Sequence, residues 1–278
     1  MKASISVRNG ITLCPFIAAA GFESIDFGFD SFNNRDEILM DDYANKILEN
    51  YELIKQYGLS VSQVHLTYYP GHYKPIGNGT YEAFEEQILP ILIKELEITS
   101  KINCDRAVIH LYFEDDINNS RRGNIALISK LLPYLEKYKI TLCIEDIYGP
   151  SSSPVHLSTV EELLFYTDYF NSDYVGICLD TGHAMILGQD PIAMAEALGS
   201  KIKALHVHTT YDIRDRHLLP LSEGNKVDWY KFYKILSNSK YSGTFNFEAH
   251  CPKESDDKQK EEFYKTAYQQ YLQIEVNS

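Results

Sequence analysis

Strand-like and helix-like patterns alternate eight times along this 278-residue chain, and that alternation limits what it can fold into. Repeated βα units predict a parallel sheet. Ala3–Val7, Ser24–Phe29, Val61–Leu66, Arg106–Leu111, Ile140–Glu145, Tyr174–Asp180, Ile202–His208 and Gly243–Glu248 read as strands. Leu13–Ala20, Asp41–Tyr57, Tyr81–Lys101, Asn124–Tyr138, a segment from Ser158, Pro191–Leu198, Trp229–Leu236 and Lys258–Ile274 read as helices. Asp41 or Asp42 is expected to cap the second helix, Pro90 to kink the third, and Ser158 with Glu161 to form a capping box on the fifth. With no linker or low-complexity segment between units, residues 1–278 are expected to form one domain, a single (β/α)8 TIM barrel. A doubly wound open sheet is the alternative, but the Rossmann and P-loop glycine spacings are both absent.

The strands break one rule of parallel sheets. A sheet covered on both faces normally shows continuous apolar runs. Here one parity stays apolar while the other turns polar toward the strand end. Leu142 and Ile144 alternate with Cys143 and Glu145, Ile177 and Leu179 with Cys178 and Asp180, and Phe245 and Phe247 with Asn246 and Glu248. Leu205 and Val207 likewise oppose Ala204, His206 and His208, Val64 and Leu66 oppose Gln63 and His65, and Ala107 and Ile109 oppose Val108 and His110. The apolar parity should face the outer helices, and the polar parity should converge inside the C-terminal mouth, where barrel enzymes keep their active sites. Glu145, Asp180 and Glu248 would repel one another there unless a cation joined them. Histidines rather than Lys or Arg accompany them, which suits a divalent metal: Mn, Zn, Co or Mg.

The composition narrows the setting. A formal charge of -13 and a pI near 5.1 argue against broad attraction to nucleic acid or anionic membrane. The five cysteines, Cys14, Cys104, Cys143, Cys178 and Cys251, are widely spaced and read as reduced thiols of a cytoplasmic protein, with Cys104, Cys143 and Cys178 as small buried hydrophobes. Arg8, Asn9, Gly10 and Pro15 interrupt the apolar start, so a first strand and helix fit better than a signal peptide, and no run is long enough for a membrane span. A homo-oligomer is left open.

The strand-end pieces resemble the xylose isomerase-like barrels, which include sugar phosphate isomerases/epimerases and the endonuclease IV type of AP endonuclease. They are Val64-His65-Leu66, Ile109-His110, Ile144-Glu145-Asp146, Leu179-Asp180-Thr181-Gly182-His183-Ala184, Leu205-His206-Val207-His208, Asp215-Arg216-His217 and Phe247-Glu248. By the epimerase branch, the resemblance implies one divalent ion on Glu145, Asp180, His206 and Glu248. By the endonuclease branch it implies three zinc ions on His65, His110, Glu145, Asp180, His183, His206, Asp215, His217 and Glu248. Asp146 stands where the family commonly has Asn, and Thr209 where related sequences often have Asp.

The expected function is a metal-dependent isomerase or epimerase acting on a sugar or sugar phosphate through an enediolate. Glu145 and Glu248 would be the acid/base pair, and His65, His183 and Asp215 would contact hydroxyls. Tyr68, Tyr69, Tyr73, Phe113, Tyr148 and Trp229 are candidates to close over a sugar, although each alone reads more simply as packing or surface. The alternative is a zinc-dependent AP endonuclease-type phosphodiesterase. The acidic balance and the lack of clustered Lys/Arg in the strand-to-helix loops weaken it, and the paired positions Arg121-Arg122 and Arg214/Arg216 read most plainly as solvated surface. A sugar or metal binder without turnover is a third reading. His208 is read as orienting the metal site, and His72, His156 and His250 as loop or surface groups.

Overall fold

A computed structural model describes residues 1–8, 10–30, 34–67, 81–114, 116–148 and 158–278. Eight parallel strands follow one another round a sheet: β1 Ala3–Arg8, β2 Ser24–Gly28, β3 Ser60–His65, β4 Arg106–Ile109, β5 Thr141–Glu145, β6 Val175–Asp180, β7 Ile202–His206 and β8 Phe245–Phe247. Their spatial order is β7-β6-β5-β4-β3-β2-β1-β8. The ring closes just beyond β7, where Val207 bridges Phe247; Val207 N–H donates to Asn246 O at 2.8 Å and Glu248 N–H to Val207 O at 3.1 Å. The expected (β/α)8 barrel is the fold.

The strand parities divide as their residues dictate. Phe27, Val64, Ile109, Ile144, Leu179, Leu205 and Phe247 join the apolar layer between barrel and helices. Val108, Cys143, Cys178 and Ala204 form a separate small cluster, as the inward parity of β4 to β7 requires. Cys14, Cys104, Cys143 and Cys178 are buried and unbridged. Inward polar residues of other strands pair among themselves: Gln63 and Asn246 amides donate to Asp26 Oδ2 at 3.3 and 3.1 Å.

The helices around the barrel are α1 Cys14–Ala20, α2 Arg35–Ile38, α3 Asp41–Gln56, α4 Tyr81–Lys101, α5 Ile117–Tyr138, α6 Val160–Phe170, α7 Thr181–Ile186, α8 Pro191–Leu198, α9 Trp229–Asn238 and α10 Asp257–Val276. Their ends correct several expectations. The α3 N-cap is Met40, in extended conformation and without a side-chain cap, so Asp41 and Asp42 lie in the first turn, where they face the helix dipole instead. α5 starts at Ile117 rather than Asn124 because the Asp116 carboxylate accepts from Asn118 and Asn119 N–H at 2.8 and 3.0 Å. α6 is capped by Thr159, whose hydroxyl accepts from Glu162 N–H at 3.2 Å; the Ser158 hydroxyl is committed to Ile147 O. At α10 the capping box is Asp256 with Gln259. Pro90 lies inside α4.

Short α7 was not foreseen, yet it shapes the site. It starts directly after β6, and Asp180 caps it by accepting from His183 N–H at 2.7 Å. The strand end and the helix start thus share one carboxylate.

Candidate metal centre

The strand ends deliver their polar groups to one place. β3 ends on His65, β5 on Glu145, β6 on Asp180 and β7 on His206, while His110 follows β4 and Glu248 follows β8. His183 comes from α7, and Asp215 and His217 from the connection between β7 and α9. All nine residues singled out in the sequence gather here.

Glu145 is the hub. Its Oε1 lies 2.8 Å from His206 Nδ1, and its Oε2 lies 2.9 Å from His110 Nε2 and 3.2 Å from His65 Nε2. His206 Nδ1 is also 3.5 Å from Glu248 Oε2 and 3.8 Å from Asp180 Oδ2. Asp215 Oδ2 lies 2.8 Å from His217 Nε2 and 3.8 Å from His183 Nε2. Ligand atoms therefore fall within 4.8 Å of one another in several sets: Glu145/Asp180/His206/Glu248, His65/His110/Glu145, His208/Asp215/His217 and His217/Glu248/His250.

The rings are oriented from outside. His65 Nδ1 meets Leu66 O, His183 Nδ1 meets Asp146 O and His217 Nδ1 meets Glu248 O, each at 2.8 Å, which turns their Nε2 atoms inward. His206 is held the other way, with Nε2 3.2 Å from Asp26 Oδ2 and Nδ1 inward. Anchoring one imidazole nitrogen this way selects the tautomer that offers the other as a lone pair.

Charge in the cluster follows from burial and proximity. Burial raises the Glu145 carboxyl, but the His206 and His110 imidazoles outweigh it and hold the group well below the usual carboxylate range. Burial is likewise overcome at Asp180 by His183 and His208, and at Asp215 by hydrogen bonds with His183 and His217, so both are lowered. At His206 and His183 burial opposes the charged form, yet the negative groups around them raise both rings well above their usual value. His217, buried but facing Glu248 and Asp215, is raised to about 9. At His110 burial wins and the ring is lowered.

The donor set fits a divalent ion. Glu248 Oε2 is buried and has no hydrogen-bond partner among the described residues, although it points into the four-residue set. A carboxylate oxygen left so is costly unless a cation meets it. Mixed carboxylate and imidazole donors suit Mn, Zn or Co.

Three residues have contacts at the site that the sequence reading did not assign to them. Asp26 Oδ2 lies 3.2 Å from the outer nitrogen of His206; its inward parity on β2 was the available signal. Asp146, besides meeting His183 through its carbonyl, accepts Asp180 N–H on Oδ1 at 2.6 Å, and burial with the Asp180 charge raises its carboxyl well above normal. His250 corrects an expectation, for it is no isolated loop group. Its ring stacks on His217 at 4.5 Å, and its N–H donates to His217 O at 3.2 Å, because the chain after β8 runs beside the β7–α9 connection.

Other residues fall away from the site. Trp229 belongs to the core, 1% exposed, with its indole N–H on Asn225 Oδ1 at 2.8 Å, so it is not a sugar cover. Tyr148 does lie beside the site, its ring 5.0 Å from that of His183, and Phe113 packs against the core. Arg121 forks onto Glu162, Arg122 reaches Asn119, and Arg214 and Arg216 both grip Asp212. Tyr68, Tyr69, Tyr73, His72 and His156 lie outside the described residues.

Residues 14–267 match the family model described as "Xylose isomerase-like TIM barrel". The chain belongs to the xylose isomerase-like TIM barrel family. Among curated relatives, this family member is 23% identical over 161 residues to "Uncharacterized protein y4fM" of Sinorhizobium fredii, covering 57% of this chain and 51% of that one. It is 25% identical over 191 residues to "Probable endonuclease 4" of Thermoplasma volcanium, covering 67% and 62%. The matched segments thus span only about half to three fifths of those relatives' length. Among solved structures, a D-psicose 3-epimerase determined in the presence of D-fructose superposes with a TM-score of 0.75 at 15% identity, covering 100% of both chains. That likeness shows the xylose isomerase-like fold. Among the described residues, no helix is long and apolar enough to cross a membrane.

Proposed function

We propose that this xylose isomerase-like protein is a divalent-metal-dependent isomerase or epimerase of a sugar or sugar phosphate. One observation carries the reading: Glu145 and Glu248, from strands three apart round the barrel, face a shared set with Asp180 and His206, and Glu248 keeps one oxygen without a hydrogen bond among the described residues. Glu145, Asp180, His206 and Glu248 would hold the ion, which supplies Lewis-acid polarisation of a carbonyl and its neighbouring hydroxyl. Glu248 Oε2 is the base that removes the proton from the carbon beside that carbonyl. The carbon passes through an enediolate, and Glu145 would deliver a different proton, taken up from solvent, to the opposite face, giving the inverted configuration, while Glu248 loses its proton to solvent. His65, His183 and Asp215 contact hydroxyls, and Tyr148 helps exclude water. The epimerase neighbours at the level of fold support this choice.

A second reading has its own support. The His65/His110/Glu145 and Asp215/His217 groups extend the site beyond a single ion, and a "Probable endonuclease 4" is among the sequence relatives. That arrangement suits a phosphodiesterase with several zinc ions. Against it, the paired arginines, read from the sequence most plainly as solvated surface groups, are engaged with Glu162, Asn119 and Asp212.

The deciding test loads chelator-treated protein with Mn2+ or Zn2+ and follows a panel of ketoses and ketose phosphates in D2O by NMR. Deuterium entering at one carbon is expected, with Glu248→Gln losing about 100-fold or more of that exchange while retaining the ion. No exchange with any ketose, together with cleavage of an abasic-site duplex by protein carrying three zinc ions, would give the function to the second reading.

A further inference from the structure

Four of the cluster imidazoles share a habit that His208 does not. His65, His183, His206 and His217 each present one nitrogen to a protein oxygen outside the cluster and keep the other for the centre. His208 does the reverse. Its Nδ1 is buried without a hydrogen-bond partner among the described residues, while its Nε2 is the nitrogen facing carboxylates, 3.0 Å from Asp180 Oδ1 and 3.2 Å from Oδ2. Ligation through Nε2 would put the ring's proton on Nδ1, a buried donor with nothing to receive it. The proton therefore belongs on Nε2, donated to Asp180.

The seat of this ring is built for it. A Cβ on Gly182 would lie 1.8 Å from His208 Cε1 and 2.4 Å from both ring nitrogens. The backbone is clamped as well, since Thr181 Oγ1 accepts from His208 N–H at 3.0 Å and donates to His208 O at 2.7 Å. Asp180 Oδ1 already takes His183 N–H at 2.7 Å. His208 Nε2 spans both carboxylate oxygens, 3.0 Å from Oδ1 and hydrogen-bonded to Oδ2 at 3.2 Å, while Oδ2 also lies 3.8 Å from His206 Nδ1.

We propose that His208 is a positioning residue rather than a ligand: its Nε2–H fixes the orientation of the Asp180 carboxylate toward the ion shared with Glu145, His206 and Glu248, and residue 182 is glycine because the imidazole fills the place of its side chain. This rests on the metal-dependent reading of the same residues. The nine-residue ligand set does not include His208, although its Nε2 lies near enough to Asp215 and His217 to be mistaken for a member.

The experiment titrates EDTA-treated full-length protein with Zn2+ and with Mn2+, measuring ions per chain and dissociation constants by calorimetry and elemental analysis. His208→Gln places an amide N–H near the position of Nε2, and its affinity is expected to stay within about threefold of the starting protein. His208→Leu fills similar space without a donor and should weaken one ion about 10–100-fold with the number of ions unchanged. Gly182→Ala should match it by expelling the ring, and adding Gly182→Ala to His208→Ala should cost little more than His208→Ala alone, because the clash is gone. Thermal melts identify any variant that fails to fold, and the Gln and Ala variants carry the test if the Leu variant does. Unchanged affinity on removing the donor would reduce His208 to packing and overturn the proposal. Loss of one whole ion in both the Gln and Leu variants would make it a ligand and overturn it equally. Failure of the starting protein to take up any divalent ion would instead remove the metal-dependent reading beneath it.

Discussion

Glu95 offers a quantitative test of how the end of β3 is held. It lies in α4 with no exposed surface. Thr67 N–H donates to its Oε2 at 2.8 Å, and the Thr67 hydroxyl meets its Oε1 while also reaching Asp30 O at 3.1 Å. Burial pushes the carboxyl from 4.5 to about 8, with the Thr67 hydrogen bonds recovering only part. At neutral pH it is therefore a carboxylic acid whose O–H donates to Thr67 Oγ1, which passes its own proton to Asp30 O. Glutamine copies this pattern, its N–H replacing the O–H and its carbonyl accepting from Thr67 N–H. The sign follows: a carboxyl raised in the folded state contributes fully below pH 4.5, and that contribution is lost as pH climbs through about 8. At about 1.36 kcal/mol per pH unit, the loss is about 3 kcal/mol by pH 7 and about 5 kcal/mol above pH 9. Glu95→Gln should match the starting protein near pH 4.5 and exceed it by a few kcal/mol at pH 9. Urea denaturation at several pH values, in EDTA to keep metal out, measures the gap. A gap that ignores pH, or a less stable variant at pH 9, refutes the argument.

Two further outcomes follow from the same kind of accounting. His217, raised from 6.5 to about 9, stabilises chelator-treated protein fully below pH 6.5 and loses that effect as pH rises through about 9. The same deprotonation frees Nε2, so zinc affinity should rise across that window; melting temperatures with and without zinc should diverge, and parallel curves would contradict this. Arg121 grips the buried Glu162 through Nε at 3.0 Å and through Nη2, and its guanidinium lies 4.1 Å over Phe165. Arg121→Leu should cost about 2–3 kcal/mol, discounted for the third of Arg121 that is exposed, with Arg121→Leu/Glu162→Leu recovering most of it in urea melts.

How legible the site was depends on which residues are considered. Glu145, Asp180 and His206 could be read because period-two alternation forces strand residues to one face, and a polar group on the inward parity of an otherwise apolar strand has few reasons to be there. His183, Asp215 and His217 came through resemblance, since they lie beyond the strands where no period applies. Asp26, Asp146 and His250 act through contacts between segments far apart in sequence. Asp26 meets His206 across the barrel interior, and His250 meets His217 because two connecting segments run side by side. Helix ends were misjudged for the same reason: Ser158 looked like a cap until Ile147 O claimed its hydroxyl.

The chain alone determined the eight-fold alternation, the closed parallel barrel and the rim at which its acids and imidazoles meet, because these follow from local periodicity and from the need to bury one face of every element. Tertiary structure alone decided which nitrogen of each histidine turns inward, which buried carboxylate oxygens, Glu248 Oε2 among them, lack a hydrogen bond among the described residues, and why residue 182 carries no side chain. Those are matters of distance between atoms on different strands, and a linear pattern holds no record of distance.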